Sequence, residues 1–190
     1  MTQLTKTLLA VTLLSAIASF PTQAATISLM PTSQTTVVGG AFTLDVLMDF
    51  SDDPTVGGGI DIFYNSSLLQ FDTFVFNGAL GDDPAFRSTP TVLANELNGL
   101  AFGSFTGLSG PAVVGTLSFT ALAAGTATLT TADNDTPWGG FISATTGTAQ
   151  AVTYTGADVT ITPIPLPAAV WLMLSGVALI GTHWRRTQQQ

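Results

Sequence analysis

The 190-residue chain has no cysteine, a single histidine and only four lysines and arginines. These shortages fall unevenly. Lys6 lies near the start, and His183, Arg185 and Arg186 lie near the end. The stretch between holds one base, Arg87, against all twelve acidic residues. A Ser-His-Asp triad, a cysteine nucleophile, a lysine base and histidine-ligated zinc are therefore unavailable to residues 25–162. So is a disulfide, which leaves packing alone to hold the fold. A surface this acidic repels phosphate backbones and excludes nucleic acid as a partner. Only carboxylates remain as general acids or bases. Glu96 and the aspartates sit mostly in turns or on alternate strand positions, where solvated charge is the expected role. The chain is read as not an enzyme, with a carboxylate-only carbohydrate-active enzyme or accessory module as the alternative.

Long apolar runs are confined to the two ends. Leu8–Phe20 is apolar after a lightly positive start, Pro21 breaks it, and Thr22-Gln23-Ala24 offers the small residues a signal peptidase inspects. Residues 1–24 read as a secretory signal peptide, cleaved between Ala24 and Ala25. At the other end Pro163, Pro165 and Pro167 stiffen the chain, and Leu166 to Trp184 contains no carboxylate, lysine or arginine. As a helix that run would be roughly 28 Å long, close to the hydrocarbon thickness of a bilayer. Arg185 and Arg186 stop it as a positive-inside anchor would.

Pro165-Leu166-Pro167-Ala168-Ala169-Val170-Trp171, with the apolar run and the arginine pair behind it, resembles the PEP-CTERM sorting signal in its VPLPA variant. Ile164 replaces the valine of that variant, and no Pro-Glu-Pro is present. The resemblance implies that residues 163–190 are an address label read by an exosortase after the secretion machinery has exported the chain. Pro165, Leu166, Pro167, Ala168, Trp171, Arg185 and Arg186 would carry it. It implies membrane anchoring before processing, then the outer surface or the extracellular space. An ordinary single-pass tail anchor is the alternative.

Residues 25–162 have the size of one domain able to bury a core without staples. Serine, threonine, glycine and alanine dominate there, interleaved with β-branched and aromatic residues, which favours strands and turns. The clearest strand is Ala41–Phe50, where Phe42, Leu44, Val46, Met48 and Phe50 alternate with a mostly polar set. Ala25–Met30 and Leu68–Asn77 are further strands, and Ser51–Gly59 and Gly78–Pro90 are loops. Thr91–Leu97 and Gly99–Phe105 form a hairpin about Asn98-Gly99; Val113–Leu122 and Thr126–Thr131 form another. Ala149–Thr155 and Asp158–Ile161 come last. Eight or nine short strands at this spacing indicate an all-β sandwich, with no amphipathic helix and no repeat.

Within this run, Val38-Gly39-Gly40-Ala41-Phe42-Thr43-Leu44-Asp45-Val46 resembles the second strand of cohesin domains. Gly59-Ile60-Asp61-Ile62-Phe63-Tyr64-Asn65-Ser66-Ser67-Leu68-Leu69-Gln70-Phe71 is similar to their strand and Tyr-Asp-Pro corner, with Asn65 and Ser66 in place of aspartate and proline. Val114–Phe119 and Gly125–Leu129 resemble the later strand pair. The resemblance implies a jelly-roll sandwich of the kind shared with carbohydrate-binding modules. It also implies recognition of a protein or polysaccharide through a sheet face or end loops.

No cofactor is expected. For a calcium ion the candidates are Asp133 and Asp135, at the i, i+2 spacing that lets two carboxylates converge from one turn, and beside them Asp52-Asp53 and Asp82-Asp83. Local turn chemistry explains these residues as well. Trp138, alone in residues 25–162, is the candidate ligand-binding aromatic. It could stack on a sugar ring, or plug the end of the sandwich, which is the expectation preferred.

Overall fold

The computed structural model describes residues 25–164 and Met173. The signal peptide with Ala24, and the sorting residues from Pro165 onward, lie outside the described residues. Among the described residues no helix is long and apolar enough to cross a membrane.

Alternation at period two is the local rule that builds the sandwich. Twelve strands form: β1 (Ala25–Met30), β2 (Ser33–Val37), β3 (Ala41–Asp49), β4 (Thr55–Phe63), β5 (Leu69–Phe76) and β6 (Thr91–Val92). Then follow β7 (Glu96–Leu108), β8 (Ala112–Ala121), β9 (Gly125–Asp133), β10 (Ile142–Ser143), β11 (Val152–Thr155) and β12 (Ala157–Thr162). Five of them make one sheet in the order β11-β1-β3-β8-β5. The other seven make the second, in the order β2-β12-β9-β4-β7-β6, with β10 also on β4. Two pairings are parallel, β1 with β11 and β2 with β12; the rest are antiparallel. The core lies between the sheets. Leu44, Val46, Leu117 and Phe119 enter it from the five-stranded side, and Ile60, Ile62, Phe102 and Leu129 from the seven-stranded side. In β3 the set read from the sequence is the buried set.

Four expectations need correction. Gly57-Gly58-Gly59 belong to β4 rather than to a loop. A Cβ on Gly58 would lie 2.8 Å from the Gly140 carbonyl oxygen, and one on Gly59 2.8 Å from Trp138 Cβ. The glycines are there so that the chain leaving β9 can lie against the strand. Asn98-Gly99 makes no hairpin turn. The turn is at Leu93–Asn95, closed by the Leu93 amide on the Glu96 carbonyl, and β7 runs straight through Asn98-Gly99. There Ile60 faces Leu100 while Ile62 faces Leu97, so β7 carries a bulge with Gly99 at φ 76°. The positive φ that suggested a turn is used to bend a strand instead. β8 and β9 are consecutive but sit in opposite sheets, because each has its own apolar face and both faces must reach one core. Finally β2 and β10 were not read from the sequence, since the first is polar and the second is two residues long.

Candidate functional site

Two outward faces follow from the alternation, and they differ in chemistry. On the five-stranded sheet the outward positions of β3, β5 and β8 carry Asp45, Asp72, Thr116 and Thr120. Thr116 donates to Asp45 at 2.6 Å and Thr120 to Asp72 at 2.8 Å. This face is acidic with its carboxylates engaged, and its exposed apolar side chains are the aliphatic Met30 and Val75.

The seven-stranded sheet presents Thr126, Thr128 and Thr130 from β9 beside Asp158 and Thr160 from β12, with Thr128 donating to Asp158 at 2.7 Å. From β4 it presents Gly59, Asp61 and Phe63. Phe63 is exposed, and with Tyr64, Asn65, Asn95, Thr128 and Thr130 it lines a shallow open depression.

Asp61 points outward yet is buried, because the loop after β9 lies over it. Its Oδ1 accepts from the Gly99 amide at 2.9 Å and from Asn134 Nδ2 at 2.8 Å. Asn134, 1% exposed, also donates to the Thr136 carbonyl, and its Oδ1 accepts the Trp138 amide at 3.0 Å. One buried carboxylate and one buried amide thus fix the β7 bulge, the loop and Trp138 together. Trp138 rests with its Cβ over Gly59 and its indole edge near Gly99. It is 43% exposed, lying on the outside of the sheet and not plugging the end of the sandwich. The glycine bed holds one part of the side chain and leaves the rest open.

Other predicted residues land elsewhere. Asp133 accepts the Tyr154 hydroxyl, and the Asp135 side chain is exposed. Asp53 accepts from Ser143 and Gln150; Asp82 pairs with Arg87 at 2.6 Å; Asp83 caps a single helical turn at Pro84–Phe86. Among the described residues no group of three or more acidic or histidine side chains gathers to hold a metal. Ten of the twelve carboxylates accept a side-chain or backbone hydrogen bond, namely those of Asp45, Asp49, Asp53, Asp61, Asp72, Asp82, Asp83, Glu96, Asp133 and Asp158. They serve local structure. Ser143's hydroxyl is the main cause that lowers the Asp53 carboxyl below its usual range, against burial and with help from Gln150 and Thr145.

Sequence reasoning passed over Phe63, although the alternation Gly59, Asp61, Phe63 puts it outward. It also passed over the Asp61–Asn134 pair, whose members are 73 residues apart and carry no local signal.

Both phenols are harder to ionise than a free tyrosine. Burial raises Tyr64 above its ordinary 10.0, and burial, then the hydrogen bond to Asp133 and its charge, raise Tyr154 much further. Below pH 10 both states of the chain keep these protons. Above it the unfolded chain loses them first, so stability falls as pH rises toward the folded values. Absorbance titration is expected to show at most one of the two phenols ionising in the folded protein, with Tyr154 still protonated well past pH 10. Tyr154 should ionise only with alkaline unfolding, and two phenolates appearing in the folded protein near pH 10 would contradict this.

No family model matches the sequence, and no curated protein matches it. Solved structures do. The seventh ScaB type I cohesin from Pseudobacteroides cellulosolvens is 11% identical with a TM-score of 0.60, covering 76% of this chain and 96% of that one. The solution structure of CaCohA2 from Clostridium acetobutylicum is 16% identical with a TM-score of 0.59, covering 73% and 91%. The sixth cohesin of Acetivibrio cellulolyticus scaffoldin B, in complex with the Cel5 dockerin, is 16% identical with a TM-score of 0.56, covering 73% and 99%. The fold is that of a cohesin module.

Proposed function

We propose that this chain is an exported, non-enzymatic binding protein that recognises a protein partner through the outer face of its seven-stranded sheet. The observation that carries the reading is the contrast between the two faces. One carries engaged carboxylates and hydroxyls, and its exposed apolar side chains, Met30 and Val75, are aliphatic. The other offers Phe63 and Trp138, two half-open aromatics on a threonine-rich sheet, and aromatic anchors are what protein interfaces use. Cohesin modules of the same fold have been solved with dockerins bound, which supports a protein ligand. The acidic surround favours a neutral or basic partner. Delivery is by the signal peptide and by the C-terminal label, with Pro165, Leu166, Pro167, Ala168, Trp171, Arg185 and Arg186 read by an exosortase. The membrane holds the chain until then, and the working molecule ends at the outer surface or beyond it.

A polysaccharide ligand is the second reading, favoured by the open part of Trp138. A photo-crosslinking residue separates the alternatives. Placed at Thr130 in the native host it is expected to trap one discrete protein, while at Ser118 on the other face it traps none. Equal trapping at both positions overturns the face assignment. Absence of any protein adduct, with glycan binding lost in Trp138→Ala, gives the polysaccharide reading instead.

A further inference from the structure

The sandwich has two unlike ends. At one end five loops meet: Val37–Gly40, Tyr64–Leu68, Leu93–Asn95, Leu122–Ala124 and Pro163-Ile164. Backbone hydrogen bonds tie them together, from the Val38 amide to Thr162, from Gly39 to Ala121, from Leu122 to Leu68 and from Tyr64 to Asn95. None of the twelve acidic residues lies in these loops, and neither does a base. The nearest acid, Glu96, begins β7 and has its carboxylate on Asn98. What the loops do expose is apolar: Val37 at 44%, Leu93 at 48%, Leu122 at 45% and Ile164 at 65%. The opposite end carries Asp49, Asp52 and Asp53, beside the Ala144–Thr148 loop.

The chain leaves the domain from the uncharged end. Thr162 is paired to Val37 at the close of β12, and the apolar run of the sequence begins four residues later at Leu166. Four extended residues reach roughly 13 Å. A run that enters a bilayer at Leu166 therefore holds this end within that distance of the lipid headgroups.

We infer that the uncharged end of the sandwich is a bilayer-facing surface, which docks on lipid while the tail is inserted and turns the acidic end away. The inference rests on the anchor reading above. Four partly exposed apolar side chains would not hold a free domain on a membrane. With the tether they need only win an intramolecular contact, at an effective concentration set by a very short linker. Charge works in the same sense. Anionic headgroups repel the carboxylates of the far-end loops, whereas the near-end loops themselves carry none and only Glu96 and Asp72 stand behind them. The consequence is orientation: the sheets stand away from the bilayer, and the seven-stranded face stays open to a partner.

The absence of cysteine makes the test direct. The full chain, carrying a fluorophore on Ala124→Cys at the near end or on Ala144→Cys at the far end, is put into phosphatidylethanolamine–phosphatidylglycerol vesicles. These contain a headgroup spin-labelled lipid as quencher. The near-end label is expected to be quenched several-fold more strongly than the far-end one. With Val37→Asp and Leu122→Asp added, that excess should fall to what the roughly 13 Å tether alone gives although the chain still floats with the vesicles, and an excess that these substitutions leave unchanged overturns the docking. Equal quenching of the two labels in floating protein overturns the docking and leaves the anchor standing. A chain that does not float overturns both.

Discussion

Replacing Phe119 with alanine is expected to lower the unfolding free energy by about 3–5 kcal/mol, the cost of a large cavity in a packed core. Phe119 is fully buried on β8, and three rings surround it, each with its centroid 5.6 Å away. Phe42 and Phe71 come from β3 and β5, its neighbours in the five-stranded sheet. Tyr64 comes from the end of β4, across the sandwich. The ring therefore joins the two sheets, and no neighbour can fill the space without leaving its own contacts. Set against a total of about 5–15 kcal/mol for an ordinary domain, the loss is about a fifth or more of the stability. Without a disulfide, nothing covalent makes it up. Urea denaturation reads the result as a lower midpoint with little change in slope. Phe105→Ala is the control: that ring is 80% exposed, and its removal should move the midpoint hardly at all.

The second large effect comes from a change of almost no size. Asn134→Asp keeps the shape of the side chain and the acceptor for the Trp138 amide, but it replaces the donor to Asp61 with another carboxyl. The donor and Asp61 Oδ1 are 2.8 Å apart and both residues are buried, so two carboxylates cannot both ionise there. At neutral pH the substitution is expected to cost about 3–5 kcal/mol, as other uncompensated buried charges do. The sign of its pH dependence follows. A carboxyl forced to keep its proton has a folded pKa above its unfolded one, so the variant is most stable in acid and loses stability as pH rises. Trp138 reports the same event, because its loop loses its hold and the indole fluorescence shifts to the red. Asp61→Asn should be mild, since both donors converge on one oxygen that an amide retains. If Asn134→Asp were as stable as the parent at pH 7, the buried pair would not be what fixes the loop.

The core of the fold was legible because burial writes itself into single strands. Phe42, Leu44, Val46, Met48 and Phe50 were placed correctly from alternation alone. What alternation does not carry is which strands share a sheet. β8 and β9 look like a hairpin because they follow one another, and only the shared core separates them. Glycine was the other source of error, at Gly57–Gly59 and at Gly99. A residue without a side chain signals that the chain needs space or a positive φ, but not whether a turn, a bulge or a close approach uses it. The candidate face was half legible. Trp138 was noticed as a lone aromatic, yet its seat on Gly59 and Gly99 depends on the Asp61–Asn134 contact, which no window of sequence spans. Phe63 could have been found from its strand, because it shares the outward set with Gly59 and Asp61.

That the seven-stranded face is where this protein binds is tested most directly by affinity. With the partner trapped at Thr130 in hand, its binding to the parent, to Phe63→Ala and to Val75→Ala on the five-stranded sheet can be measured by titration calorimetry. Phe63→Ala is expected to weaken binding by about 2 kcal/mol or more, the size of an aromatic anchor, with the melting temperature unchanged. Val75→Ala should bind as the parent does. Full affinity in Phe63→Ala together with a loss in Val75→Ala would contradict the account.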